Sequence, residues 1–198
     1  MSPNTIDFVV LSTLVVLLGV VAWQDVKQHR ISNRIVLVGV FFGFMFNGLI
    51  PEGQGFNSPA PGGLGWLGGL TGLGMGMAVL LPFYWLHAMG AGDVKLMGMV
   101  GAVLGPGQVL GALLGTFLVG GVMALAIALR AGAIMRLLGN VKFMLLDGVV
   151  KISTGQAPTM DDLSQSVGKL PYAVAIAVGT VSYLVWRRLM WISAIGWW

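Results

Sequence analysis

The chain has 198 residues, of which 57% are hydrophobic and 9% charged, with a formal net charge of +4. Soluble domains carry about 25% charged residues, and a globule of this length cannot hide so much hydrocarbon from water, so an ordinary soluble protein is excluded. The basic residues lie between apolar runs and form no stripe with interleaved aromatics, which excludes a nucleic-acid partner; the absence of cysteine excludes disulfides, thiolate metal sites and cysteine nucleophiles. The expected class is an all-α, polytopic membrane helix bundle that forms a single integral membrane domain over 1–198, with membrane lipid as its surroundings.

The first apolar run is Ile6–Trp23, with Asp7 at its start and Asp25 just past its end. No basic region and small-residue cleavage pattern stands before it, so it reads as a retained helix. The short polar stretch "QDVKQHRISNR", Gln24–Arg34, follows, and Ser32 or Asn33 suits the cap of the next helix, Ile35–Ile50. Proline and glycine mark Pro51–Gly63 as a loop.

The third run is Leu64–Leu86. Its glycines recur four apart, at 65 and 69 and at 68, 72 and 76, which makes small faces for close helix packing. Val94–Leu104 is too short to cross ~30 Å of hydrocarbon, which takes ~20 residues. A short helix and a tight turn at "GPG", Gly105–Gly107, is the favoured geometry, in a thinned or protein-shielded region. Val109–Leu129 is the fifth run. Arg130–Lys169 is the longest polar segment, and the apolar patch at Ile134, Leu137, Leu138 and Val141–Leu146 predicts an interfacial amphipathic helix there. The last run is Pro171–Trp186, ended by Arg187 and Arg188. About six membrane segments result, one of them short or broken.

Basic residues orient such a chain, because they are enriched on the cytoplasmic side. With Gln24–Arg34 inside, alternation places Asp93, Lys95 and the Arg130–Lys169 segment inside too. Pro51–Gly63, which has no basic residue, falls outside. Arg187 and Arg188 are the exception, since they end outside.

This topology brings Asp25 and Asp93 to one membrane face. Two nearby carboxylates ionise together only with difficulty, so a pair can share one proton. The charged member can activate a water and the protonated member can assist the carbonyl oxygen, which amounts to general acid–base hydrolysis of an amide. Gly90 and Gly92 permit a tight or positive-φ path beside Asp93 and leave room for an extended substrate. Lys95 is expected near the interface. On spacing and charge alone, three readings stay open: a catalytic pair, acids that carry ions or protons in a small proton-coupled transporter, and polar residues that merely end or cap helices.

The motifs separate these readings. "GAGDVK", Gly90–Lys95, resembles the glycine-x-glycine-aspartate-x-lysine signature of the prepilin peptidases, and His87, Leu96, Gly101 and Gly105 suit it. Asp25 followed by "HRISNR" resembles that family's first-loop motif, with Ser32 where proline is common. "KLPYAVAIAVG", Lys169–Gly179, resembles its last-helix motif. The resemblance implies an intramembrane aspartic endopeptidase of the bacterial inner membrane or of archaeal membranes. Such an enzyme cuts the basic leader from type IV or Flp-type prepilins or pseudopilins at the cytoplasmic face. It further implies that Asp25 and Asp93 are catalytic and that Arg30, Asn33, Gly90, Gly92 and Lys95 shape the site. Larger members carry a cysteine-bearing insertion and methylate the new amino terminus. This chain has no cysteine and only eleven residues from Asp25 to Ile35, so it resembles the short branch and methylation is not expected. A non-enzymatic membrane component of pilus assembly is a further alternative.

His29 and His87 have no companions in a ligand pattern, so no metal and no cofactor are expected. Asp147, Asp161 and Asp162 read as solvated surface acids, and Asp7 as a residue of the outer boundary. Trp66 is expected at the outer interface, and Trp23 and Trp85 at the inner one.

Overall fold

Why four of the apolar runs become long helices follows from their surroundings: in hydrocarbon every backbone polar group must be satisfied within the segment. The computed structural model describes residues 3–86, 89–130, 132 and 171–195. Within them lie α1 (Pro3–Gln28), α2 (Asn33–Leu49), α3 (Gly65–Trp85), α4 (Ala91–Leu104), α5 (Pro106–Arg130) and α6 (Tyr172–Ile195). Helices α1, α3, α5 and α6 are long and apolar enough to cross a membrane, and α2 is a shorter apolar helix. The protein is thus an all-α, multi-pass membrane bundle.

Helix α4 is the short element. Its 14 residues rise ~21 Å, less than the ~30 Å hydrocarbon core. It is protein-shielded: Leu96–Leu104 is buried without interruption, and α4 touches each of the other five described helices. Gly105 closes it at φ 80°, a conformation open to glycine, and Pro106 begins α5 at once. The sharp turn expected at "GPG" is therefore one residue wide.

Small residues set the helix crossings. A Cβ on Gly72 would fall on the Gly101 carbonyl oxygen, so α3 and α4 meet backbone to backbone there. A Cβ on Gly43 would lie 2.8 Å from the Ala102 carbonyl carbon, where α2 meets α4. Helices α5 and α6 cross at Gly115 and Gly179, where a Cβ on Gly115 would lie 2.5 Å from the Gly179 oxygen. Of the glycines expected to form faces, Gly65 has open space instead.

One polar residue joins three elements. Asn47 is buried in α2, and its Nδ2 donates to the carbonyls of Ala102 at 2.8 Å and Val103 at 3.1 Å. Its Oδ1 accepts from the Leu64 amide at 3.0 Å. The last carbonyls of α4, which a helix cannot satisfy internally, thus find a donor on α2.

Two expectations change, and a third element gains detail. α1 runs through Gln28, so Asp25 stands inside its last turns and not beyond its end; Lys27 folds over the Trp23 ring at 4.5 Å, a cation–π contact that suits a helix end. α6 does not stop at Trp186 but continues past Arg187 and Arg188 to Ile195, because both arginines have partners in the bundle. The Pro51–Gly63 loop is closed on itself: Gly53 donates to Gly63 at 2.9 Å and Gly63 to Pro51 at 2.9 Å, with Phe56 buried beneath. Ser32 does stand at the N-cap of α2, but its side chain makes no capping bond. His87, Asp147, Asp161, Asp162 and the interfacial helix expected within 130–169, apart from Arg130 and Gly132, lie outside the described residues.

Candidate active site

Alternation of the six described helices carries one end of each to one side of the bundle, among them the C-terminal end of α1 and the N-terminal ends of α2, α4 and α6. Long-range contacts confirm the meeting. The Ala173 amide, in the first turn of α6, donates to Asp25 Oδ2 at 3.1 Å. Lys95 Nζ in α4 donates to Asn33 Oδ1 in α2 at 3.2 Å. A Cβ on Gly92 would lie 3.0 Å from the Ile31 Cβ in the α1–α2 turn.

Asp93 enters this end from the first turn of α4. Gly90 is the N-cap, with extended φ −78° and ψ 153°. Its amide donates to Asp93 Oδ2 at 3.0 Å, and the Asp93 amide donates back to the Gly90 carbonyl at 3.1 Å. That reciprocal pair satisfies an orphan amide and fixes the carboxylate at the positive end of the helix dipole. The other oxygen, Oδ1, is not engaged by this bond.

Both carboxylates are buried, Asp25 to 7% exposure and Asp93 to 8%. They lie within electrostatic reach of one another, and Tyr172 at the start of α6 lies within reach of Asp93. The structure therefore buries two acids, from chain positions 25 and 93, at one end of the bundle.

The remaining expected residues divide. Gly92 abuts Ile31, and no larger side chain fits without displacement, but neither it nor Gly90 has positive φ. Of the tight or positive-φ path expected here, the positive-φ form is not adopted: Gly90 is an extended cap, and Gly92 is helical and in close contact with Ile31. Lys95 stands two positions from Asp93, so the two point to different sides of α4, and its ammonium goes to exposed Asn33. Arg30 is exposed in the turn after His29, which is itself exposed with φ 48°. Trp23 and Trp85 are exposed at this end, and Trp66 is exposed at the start of α3, at the other.

Three contributors went unassigned in the sequence: Ile31, Ala173 and Tyr172. Tyr172 and Ala173 stand in the quoted stretch "KLPYAVAIAVG", and that stretch was their signal. Ile31 gave none. Among the described residues no three of His, Cys, Asp and Glu gather as a metal site would require.

No curated protein and no solved structure matches the chain. A family model described as the type IV leader peptidase family matches residues 12–125. The matched region is more than half of the chain and contains Asp25 and Asp93, so the chain belongs to the type IV leader peptidase family.

Proposed function

We propose that the protein is an intramembrane aspartic endopeptidase that removes the basic leader of type IV or Flp-type prepilins or pseudopilins. Asp25 and Asp93 are its catalytic pair. The observation that carries the reading is their convergence: two buried acids, far apart in sequence, within electrostatic reach in a protein of this peptidase family.

In this reaction the pair holds one proton around a water. The ionised carboxylate takes a proton from the water as its oxygen attacks the scissile carbonyl carbon. The protonated carboxyl gives its proton to the carbonyl oxygen, which yields a neutral tetrahedral diol. The first carboxyl then gives the proton it took from water to the leaving nitrogen, one diol hydroxyl returns a proton to the second carboxylate as the C–N bond breaks, and the pair is back in its starting state. No covalent enzyme intermediate and no cofactor take part. Exclusion of bulk water strengthens each of these interactions.

The charge pattern supports a cytoplasmic placement of this end in a bacterial inner membrane. Lys27, Arg30, Arg34, Lys95 and Arg130 all belong to it, which accords with the positive-inside rule. A basic cytoplasmic leader followed by an apolar membrane segment presents its junction at that depth. Arg30, Asn33 and Lys95 border the site and Gly90 and Gly92 set the path of the chain at Asp93. The short α1–α2 turn has no cysteine-bearing insertion, so N-methylation is no part of the proposed activity.

The test is cleavage of a prepilin by purified protein in detergent or lipid. Asp25→Asn and Asp93→Asn are each expected to abolish cleavage, by more than ~100-fold, while the protein inserts and accumulates normally. Wild-type cleavage by either variant would remove the dyad assignment.

A further inference from the structure

At the end of the bundle opposite Asp25 and Asp93, a groove of about 480 Å³ opens between α1 and α6. Leu11, Val15, Val181 and Val185 give it apolar walls, with Ser12 among them. At its mouth stands a charged cluster. Asp7 is buried and accepts from the Asn57 amide at 2.6 Å and from Arg188 Nη1 at 2.8 Å. Arg187 Nε donates to the Asn57 carbonyl at 3.1 Å. Arg188 thus faces the Asp7 carboxylate while Arg187 is held on the neighbouring Asn57 carbonyl, and the three charged side chains together carry one net positive charge. The Arg188 side chain remains 49% exposed.

We infer that this groove is a binding site for an anionic phospholipid, with one acyl chain along the α1–α6 walls and the phosphate on Arg188. The depth fits. From Asp7 to Val16, both of which line the groove, α1 rises ~14 Å, close to half of the ~30 Å hydrocarbon core. The groove therefore accompanies one leaflet's hydrocarbon, and its cation lies at headgroup level. Guanidinium presents five N–H donors in a fork. The Asp7 contact uses Nη1 alone, and the exposed remainder matches phosphate geometry. The net positive charge selects an anionic headgroup over a zwitterionic one. A protein helix in the same groove would gain nothing from a cation at its rim unless it brought an acid to that level.

Native mass spectrometry of the full chain, released from detergent with added phosphatidylglycerol or phosphatidylcholine, tests this. The wild type is expected to retain one phosphatidylglycerol about fivefold more than phosphatidylcholine, the preference that one basic residue near an anionic headgroup provides. Ser12→Trp fills the groove and leaves the Asp7–Arg188 pair in place, so it is expected to release both lipids. Arg188→Gln is expected to erase the preference while Ser12→Trp reports on the groove independently of that pair. Equal retention of the two lipids by the wild type overturns the inference, as does undiminished phosphatidylglycerol on Ser12→Trp. A dimer that seals the groove against lipid also overturns it.

Discussion

The amide of Ala173 donates to Oδ2 of Asp25 across 148 positions of sequence. The acceptor lies within the family-matched region, 12–125, and the donor lies outside it, in α6. The last helix is therefore more than a lid on the bundle, since its first turn holds one of the two acids in place. Ala173 is fully buried, so this bond is made away from water. Hydrogen bonds to charged groups contribute roughly 1.5–3 kcal/mol. Ala173→Pro removes the donor at a position in the first turn where a proline backbone is tolerated. Its expected result is a fall in prepilin cleavage of at least ~10-fold, whereas Ala173→Gly, which keeps the N–H, retains most activity. Equal rates for the two variants would show that the bond does not serve the reaction.

Gly92 makes a second prediction about the same end. Its Cβ would lie 3.0 Å from the Ile31 Cβ and 3.2 Å from Cδ1. A leucine there must push the α1–α2 turn away from α4, and Asp93 is the next residue. Overpacking of this kind costs about 1–3 kcal/mol, which the bundle as a whole survives. Gly92→Leu is therefore expected to lose cleavage while its melting temperature falls only modestly. Combining it with Ile31→Ala, which removes the opposing side chain, is expected to restore part of the activity. Cleavage assays on the single and double variants decide this.

Most of the architecture was legible because hydropathy reports what faces lipid. The six apolar runs, their order and the short fourth element came directly from it. Alternation across a membrane then put Asp25 and Asp93 at one end without any knowledge of packing. Helix limits were not legible where polar residues find partners within the bundle. Arg187 and Arg188 look like a helix end, yet Arg187 bonds the Asn57 carbonyl and Tyr183 hydroxyl, and Arg188 bonds Asp7. Those partners also account for two basic residues at the end that the charge rule leaves poor in them. Asn47 was equally silent, because one amide in an apolar run does not reveal which carbonyls it will meet. The Ala173–Asp25 bond was invisible for a related reason: its donor is backbone, and backbone carries no sequence identity.

Helix α3 offers a paired test of the small-residue crossings, two positions apart. A Cβ at Gly72 would strike the Gly101 carbonyl oxygen, whereas a Cβ at Gly74 would have nothing within 4 Å. Both residues are mid-helix, so both substitutions to alanine gain roughly 0.5–1 kcal/mol of helix preference. Only Gly74→Ala keeps that gain. Gly72→Ala must spread α3 from α4, at a cost of about 1–3 kcal/mol. Thermal unfolding in detergent is expected to rise or stay level for Gly74→Ala and to fall for Gly72→Ala. A shared response to both would mean that the crossing does not limit stability.

The Asp7 cluster separates stability from chemistry. Asp7 is 1% exposed and joins three parts of the chain: α1, the Asn57 loop and Arg188 of α6. Asp7→Ala leaves the Asn57 amide without its acceptor and Arg188 without its counter-charge. An unsatisfied buried polar group costs about 1–3 kcal/mol. Arg188→Ala is expected to cost less, because that side chain is half exposed and the Asn57 amide still holds Asp7. In the double variant the losses are expected to be smaller than their sum, since residues in direct contact couple by about 0.5–3 kcal/mol. The cluster lies at the end of α1 away from Asp25, so cleavage well below the melting temperature is expected to persist in all three variants. Loss of cleavage with unchanged stability would instead tie the two ends of the bundle together functionally.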